Sequence, residues 1–172
     1  MKGIKNVFGA IVALSALGYV STANAEDSSK FYLGAGYSQF DGGDGLKPTV
    51  AFGIAGVSLT KNWSIEGRFG AGVNDASTSI GSVRVNNYYG AFVRGSIPAG
   101  ESVSLYGLVG YGTGEVEARA FGFSASASES SEAYGIGAEL NFGNSKAHRL
   151  GIEWARFFKD TNAISLIYRL NF

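Results

Sequence analysis

The chain is 172 residues long, with 14 Lys and Arg balanced by 14 Asp and Glu, a single His and no Cys. This charge balance argues against nucleic-acid binding, which needs a basic face, and the missing cysteines exclude disulfides and thiolate metal sites. Its 26 glycines, two prolines and 13% aromatic residues favour strands with tight corners over helices.

The amino terminus reads as an export signal. Lys2 and Lys5 form a basic start, Val7 to Val20 an apolar run, and Ala23-Asn24-Ala25 a small-residue cleavage site. That run is about 14 residues long, short of the roughly 20 that span a bilayer as a helix. Residues 1–25 are therefore expected to be a cleaved secretory signal peptide, with maturation before Glu26, and residues 26–172 a single domain. No later apolar run is long enough for a membrane helix. Entry into a membrane would then require a closed barrel, the other structure that satisfies every backbone group in lipid.

The remaining sequence divides into eight alternating segments of about ten residues, the length a tilted strand needs to cross hydrocarbon. They lie near Lys30–Phe40, Thr49–Leu59, Trp63–Val73, Val83–Ile97, Ser102–Thr113, Ala133–Phe142, Arg149–Phe158 and Ala163–Phe172. In the third, Trp63, Ile65, Phe69, Ala71 and Val73 share one parity, against Ser64, Glu66, Arg68, Gly70 and Gly72. The sixth sets Tyr134, Ile136, Ala138, Leu140 and Phe142 against Gly135, Gly137, Glu139 and Asn141. The seventh sets Leu150, Ile152, Trp154 and Phe158 against Arg149, Gly151, Glu153 and Ala155. Charges and glycines on the minor parity suit a narrow polar lumen, with the bulky parity turned to lipid. The second segment changes parity between Ile54 and Val57, which predicts either a bulge near Gly56 or mixed faces.

Thr60-Lys61-Asn62, Pro98-Ala99-Gly100-Glu101 and Gly143-Asn144-Ser145-Lys146 read as tight turns. With both termini in the periplasm these turns are periplasmic. The opposite connections, Asp41–Pro48, Asn74–Ser82, Gly114–Glu132 and the short Lys159–Asn162, are then extracellular. Within Gly114–Glu132 the residues Glu115, Glu117, Arg119, Phe121 and Phe123 continue an alternating pattern before a Ser/Ala-rich stretch. This candidate surface loop is expected to prolong two strands as a β-ribbon, whose edge could receive a partner strand.

The last segment, Ala163 to Phe172, alternates Ile164, Leu166, Tyr168, Leu170 and Phe172 against mostly polar residues and ends on an aromatic. This pattern resembles the closing strand of bacterial outer-membrane β-barrels. Together with the openings Phe31-Tyr32-Leu33-Gly34-Ala35-Gly36-Tyr37 and Leu105-Tyr106-Gly107-Leu108-Val109-Gly110-Tyr111-Gly112, the mature chain resembles the small outer-membrane barrels of the OmpA transmembrane domain and OmpX/Ail-like type. The resemblance implies an all-β, eight-stranded, antiparallel, up-and-down transmembrane β-barrel, monomeric, in the cell outer membrane. It further implies contact with outer-membrane lipid and lipopolysaccharide. Leu166, Tyr168, Leu170 and Phe172 become an assembly signal read by the barrel-assembly machinery. No peptidoglycan-binding domain is expected after Phe172, so the resemblance does not imply the anchoring role of full-length OmpA.

The inward parity collects Glu66, Arg68, Arg84, Arg94, Glu139, Arg149, Glu153 and Arg169. An eight-stranded barrel is just wide enough to be filled by side chains, which favours a salt-bridged plug over a charged pore. With Thr161 at the apex of the last hairpin, Glu153 is expected opposite Arg169 and Leu150 opposite Phe172. Tyr32, Tyr37, Trp63, Tyr88, Tyr89, Tyr111, Tyr134, Trp154 and Tyr168 read as interfacial girdles. His148 falls in a turn with no nucleophile setting, so no catalytic residue is expected. Asp41-Gly42-Gly43-Asp44-Gly45 lacks the spaced ligands of a calcium loop, and no metal or cofactor is expected. The functional expectation is a structural or surface-interaction protein with a closed lumen. A narrow porin-like channel is the alternative, and a lipid-modifying enzyme is disfavoured.

Overall fold

The computed structural model describes residues 31–41, 47–78, 81–120, 123–143, 147–157 and 161–172. The expected signal peptide, most of the Asp41–Gly45 stretch, Phe121 and Phe158 lie outside the described residues. Nine strands are present among them: β1 (Phe31–Asp41), β2 (Thr49–Ser58), β3 (Trp63–Asn74), β4 (Ala76–Thr78), β5 (Gly81–Pro98), β6 (Val103–Ala120), β7 (Phe123–Phe142), β8 (His148–Phe157) and β9 (Thr161–Asn171). Each pairs antiparallel with its chain neighbours except β3 and β4, which do not pair with each other; β1 pairs with β9 and β3 with β5, so the sheet closes on itself. Because β4 continues the line of β3 past Asp75, the wall has eight staves, as expected.

Closure removes the exposed sheet edges along the barrel wall itself. The seam is drawn tight by the Phe172 amide, which donates to the Phe31 carbonyl at 2.9 Å. Short turns gather at that end of the barrel. Thr60 Oγ1 accepts the amides of Asn62 (3.2 Å) and Trp63 (3.0 Å), fixing the β2–β3 corner. Gly143 follows β7 with φ of 86°, a left-handed conformation that glycine adopts without steric cost.

Parity sorts the faces. Ile136, Ile152, Leu166, Val109, Phe69 and Leu33 point outward and are exposed, whereas Glu66, Arg68, Glu139, Glu153 and Arg169 point inward and are buried. The second segment differs from one expected form and matches the other. Its pairing runs unbroken through Gly56, so no bulge lies there. The register shift occurs instead at Thr49/Val50, where Val73 is the extra residue on β3. Val50, Phe52 and Ile54 consequently face the lumen, and Ala51 and Ala55 face out. The lumen is thus not polar throughout. Its upper half holds an aromatic cluster in which the Phe157 ring meets Tyr88 (5.6 Å) and Phe92 (6.3 Å) edge to face and Phe40 (5.6 Å) at a tilt.

β5, β6 and β7 have 18, 18 and 20 residues, far longer than the roughly ten that cross the hydrocarbon. Pairing of β6 with β7 continues without interruption to Ala120↔Phe123. The expected Gly114–Glu132 loop is therefore a β-ribbon projecting from the end opposite the short turns, with β5 and β4 flanking it.

Candidate functional site

Two regions carry the polar chemistry: the lower lumen and the projecting ribbon. In the lumen three carboxylates, Glu66, Glu139 and Glu153, meet three buried guanidinium groups, Arg68, Arg94 and Arg169. Arg68 lies at the centre. Its Nη1 and Nη2 donate to Glu153 Oε1 (2.6 Å) and Oε2 (2.8 Å), while Nε and Nη2 donate to Glu66 Oε1 at 2.8 and 2.6 Å. Glu139 gathers the others: Arg94 Nη2 stands 2.7 Å from Oε2, Arg169 Nη1 donates to Oε2 (3.2 Å), and Arg149 Nη1 donates to Oε1 (2.9 Å). Arg169 also reaches Glu66 at 3.5 Å, joining the two halves into one network. Charges removed from water need such partners, because an unpaired buried ion costs several kcal/mol.

Aromatic residues complete the packing. The Tyr32 hydroxyl donates to Glu66 (2.9 Å) and that of Tyr106 to Glu153 (3.0 Å). The Arg94 guanidinium lies 4.1 Å from the Tyr106 ring centre and that of Arg68 4.9 Å from Phe92, both within cation–π range. Tyr32 lies over Gly56 and Tyr106 over Gly137, each so close that a Cβ would collide with the ring. Above the network Ser38 and Ser165 share a hydrogen bond across β1 and β9.

Several expected placements are corrected. Arg84 does not face the lumen: the register shifts between Val85 and Asn87, and the extra residue reverses parity. Val85 is turned inward, and Arg84 outward toward Asp75 at 3.6 Å. Glu153 lies opposite Ser165, Arg169 opposite Arg149, and Leu150 opposite Tyr168. The last hairpin turns two residues earlier than expected, between Phe157 and Thr161, which slides every partner by four. Glu153 is bonded to Arg68 instead. Arg149 sits at the mouth, about one-third exposed, so its charge is partly solvated. Tyr32 and Tyr88 are buried in the lumen and do not belong to a girdle, while Tyr37, Trp63, Tyr89, Tyr111, Tyr134, Trp154 and Tyr168 face outward. His148 opens β8 rather than lying in a turn. It stacks on Phe142, and its Nδ1 is 2.6 Å from the Tyr168 hydroxyl. Tyr106, Phe52 and Phe92 were not singled out from the sequence. Tyr106 shares its parity with Leu108 and Gly110, and no local signal separates a lumenal Leu from a lipid-facing one.

On the ribbon the faces exchange polarity. The β6 parity that carries Val109 and Tyr111 lower down carries Glu115, Glu117 and Arg119 above. Glu115 accepts from Asn87 (3.1 Å) and Asn86 (3.4 Å), and Arg119 Nε donates to Glu117 at 2.8 Å. That bond holds the Glu117 carboxyl below its ordinary range and the Arg119 guanidinium above its own. Phe123 is 83% exposed near the tip. β7 pairs with β8 only from Tyr134 downward, so among the described residues the outer edge from Phe123 to Glu132 has no neighbouring strand. In the closing strand Leu166, Tyr168 and Phe172 face outward, and Leu170 is partly covered.

Comparison with known proteins places this architecture. The family model for the outer membrane protein beta-barrel domain matches residues 10–167. The attachment invasion locus protein of Yersinia enterocolitica is 37% identical over 87 residues, 48% of this chain and 49% of that protein. The match thus spans about half the length of this curated relative. The crystal structure of Ail, the attachment invasion locus protein of Yersinia pestis, aligns with a TM-score of 0.56 at 23% identity, covering 83% of this chain and 95% of that one. The same protein has been crystallised in complex with the heparin analogue sucrose octasulfate. Neisserial surface protein A aligns with a TM-score of 0.64 at 14% identity, covering 86% of this chain and all of that one. Closed eight-stave wall, lipid-type outer face and family match agree: the chain belongs to the outer membrane protein β-barrel family and resides in the cell outer membrane.

Proposed function

We propose that this barrel is a surface-interaction protein whose contact with partners is made by the β5–β7 ribbon, while its lumen is a plug. The unpaired outer edge of β7 carries this reading, since a row of free backbone donors and acceptors can take up an extended strand from another protein. Short turns mark the periplasmic end in such barrels, which supports a ribbon outside the cell. A sulfated polyanion is a poorer fit here, because Glu115, Glu117, Glu129 and Glu132 outnumber Arg84 and Arg119 on the ribbon strands. The filled lumen supports closure to solutes and disfavours the channel. No nucleophile–histidine pair stands at the outer rim among the described residues, which supports a non-enzymatic role.

The test is a variant lacking residues 115–128, joined by a two-residue turn at the Gly114↔Glu129 pair. Cells carrying the intact chain should retain host matrix protein, and cells with the shortened chain should not, at equal surface amounts of folded barrel. Equal retention by both would remove the ribbon from the interaction.

Biogenesis follows the same proposal. Residues 1–25 act as the export signal, so the mature chain should begin at Glu26, as its intact mass would report. The outward Leu166, Tyr168, Leu170 and Phe172 serve the assembly machinery, and lipid with lipopolysaccharide surrounds a monomer. Deleting Phe172 should lower the yield of heat-modifiable protein in the outer membrane and leave a protease-sensitive periplasmic chain. Normal yield in the deletion strain would sink that role.

A further inference from the structure

The membrane-facing wall is not evenly upholstered. Cross-strand pairing sets Trp63, Gly95, Gly107, Ile136, Trp154 and Ile164 in one outward row across β3, β5, β6, β7, β8 and β9. Two glycines stand side by side in that row. The Trp63 indole leans over Gly95, with a ring atom 3.0 Å from where its Cβ would be, but a Cβ on Gly107 would meet nothing nearer than the Gly135 carbonyl at 3.8 Å.

The result is a groove in two adjoining parts, of about 700 and about 710 Å³, which share Gly95, Ile97 and Gly107. One part opens at the periplasmic corner on Thr60, Asn62 and Trp63. The other runs up between Ile136, Ile152 and Trp154. From Trp63 to Trp154 the row crosses four strand spacings, about 19 Å at about 4.8 Å each. That is comparable with one leaflet's share of a hydrocarbon core roughly 30 Å thick. At its mouth Lys61 stands exposed on a rigid corner. The corner is held by the two Thr60 hydrogen bonds and by Asn62 Nδ2, which donates to the Ser96 carbonyl at 2.7 Å.

We infer that this groove is a binding site for an anionic phospholipid of the periplasmic leaflet. One acyl chain lies over Gly107 between the two tryptophans, and the phosphate meets Lys61. The surrounding hydrocarbon supplies the chain, and dispersion contact favours filling a concave apolar surface over leaving it empty. The position of Lys61 at the mouth selects the charge of the headgroup. Lipopolysaccharide is excluded as the occupant by depth, since the groove opens at the short-turn end.

Trp63 and Trp154 are the only tryptophans in the chain, so the site carries its own reporters. The folded full-length barrel, with both tryptophans kept and their fluorescence read together, is reconstituted in phosphatidylcholine vesicles. Brominated-acyl phosphatidylglycerol or brominated-acyl phosphatidylcholine is then titrated in. Quenching should reach half its maximum at a mole fraction roughly fivefold lower for the anionic lipid, the effect of about one lysine near a headgroup. Lys61→Gln should bring the two curves together. Gly107→Leu, which has open space for its side chain, should fold normally by heat-modifiable migration and also lose the preference. Coincident curves in the protein with both Lys61 and Gly107 intact, or a preference that survives Lys61→Gln, would overturn the site. Quenching that falls as protein density rises and recovers on dilution would assign the groove to a second barrel and equally overturn it.

Discussion

Arg68→Met should lower the unfolding free energy of the barrel by about 3–5 kcal/mol, measured by urea titration of tryptophan fluorescence in vesicles. Arg68 bonds Glu153 through two parallel contacts and Glu66 through two more, all of them buried. Removing the cation leaves Glu153 with only the Tyr106 hydroxyl among its described hydrogen-bond partners. The cost arises mostly from the stranded carboxylate, so Arg68→Met combined with Glu153→Gln should be less damaging than Arg68→Met alone. The coupling energy of that pair should exceed about 1.5 kcal/mol, the lower bound found for close charge pairs. It should also exceed the coupling of Glu153 with Arg169, which lie on β8 and β9 but do not oppose one another. Additive single effects for Arg68 and Glu153 would contradict the network as drawn.

Ile152→Arg or Leu166→Arg should each destabilise by about 2–4 kcal/mol, by the same titration. The two side chains oppose each other across β8 and β9, each 59% exposed and near the middle of its strand. In the membrane that exposure is contact with acyl chains, where a guanidinium must be dragged from water or snorkel to the interface. Arginine at Trp63 should cost far less, because the β2–β3 corner lies at the interface and the charge can reach water. Equal costs at positions 63 and 152 would mean that the apolar band is placed wrongly along the wall. In cysteine variants, position 140 should be shielded in lipid from a water-soluble thiol reagent applied to the folded barrel, and 139 should be shielded within the filled lumen. Leu140 becomes accessible if the band is misplaced.

Most of the wall was legible because strand parity has a period of two and the membrane demands one apolar face. Glu66, Arg68, Glu139, Glu153 and Arg169 all occupy the face their parity predicts. Arg84 does not, and the reason is local: Asn86 is an extra residue that inverts parity on its two sides, and the doublet Asn86-Asn87 does not by itself tell a bulge from an ordinary polar pair. The Glu153–Arg169 pairing failed for a related cause. In a hairpin every partner is set by the apex, and moving the apex by two residues displaces each partner by four.

Tyr32 and Tyr88 were misplaced because aromatic side chains suit both a lumen and an interface. Tyr32 shares its parity with Gly34, Gly36 and Ser38, a run of small residues that marks the lumen side, and Gly56 opposite makes room for its ring. Of the two carboxylate partners of Arg68, Glu66 lies two residues away on the same parity, but Glu153 could not be read at all. Glu153 is 85 residues away and meets it across the lumen, where neither register nor parity specifies which side chains converge. Ribbon length was legible as continued alternation from Glu115 to Phe123, but the exchange of polarity between its faces follows only once the membrane boundary is known.

Single-channel recording in planar bilayers bears most directly on whether the lumen is sealed. The lower network and the Phe40, Tyr88, Phe92 and Phe157 cluster lie one above the other in the bore, and the proposed plug rests on that arrangement. The purified, folded barrel should therefore give no steady currents at any salt concentration, and Arg68→Met should destabilise it without opening a defined conductance. Reproducible current steps whose size rises with salt in the unaltered protein would contradict the plug and establish a narrow channel in its place.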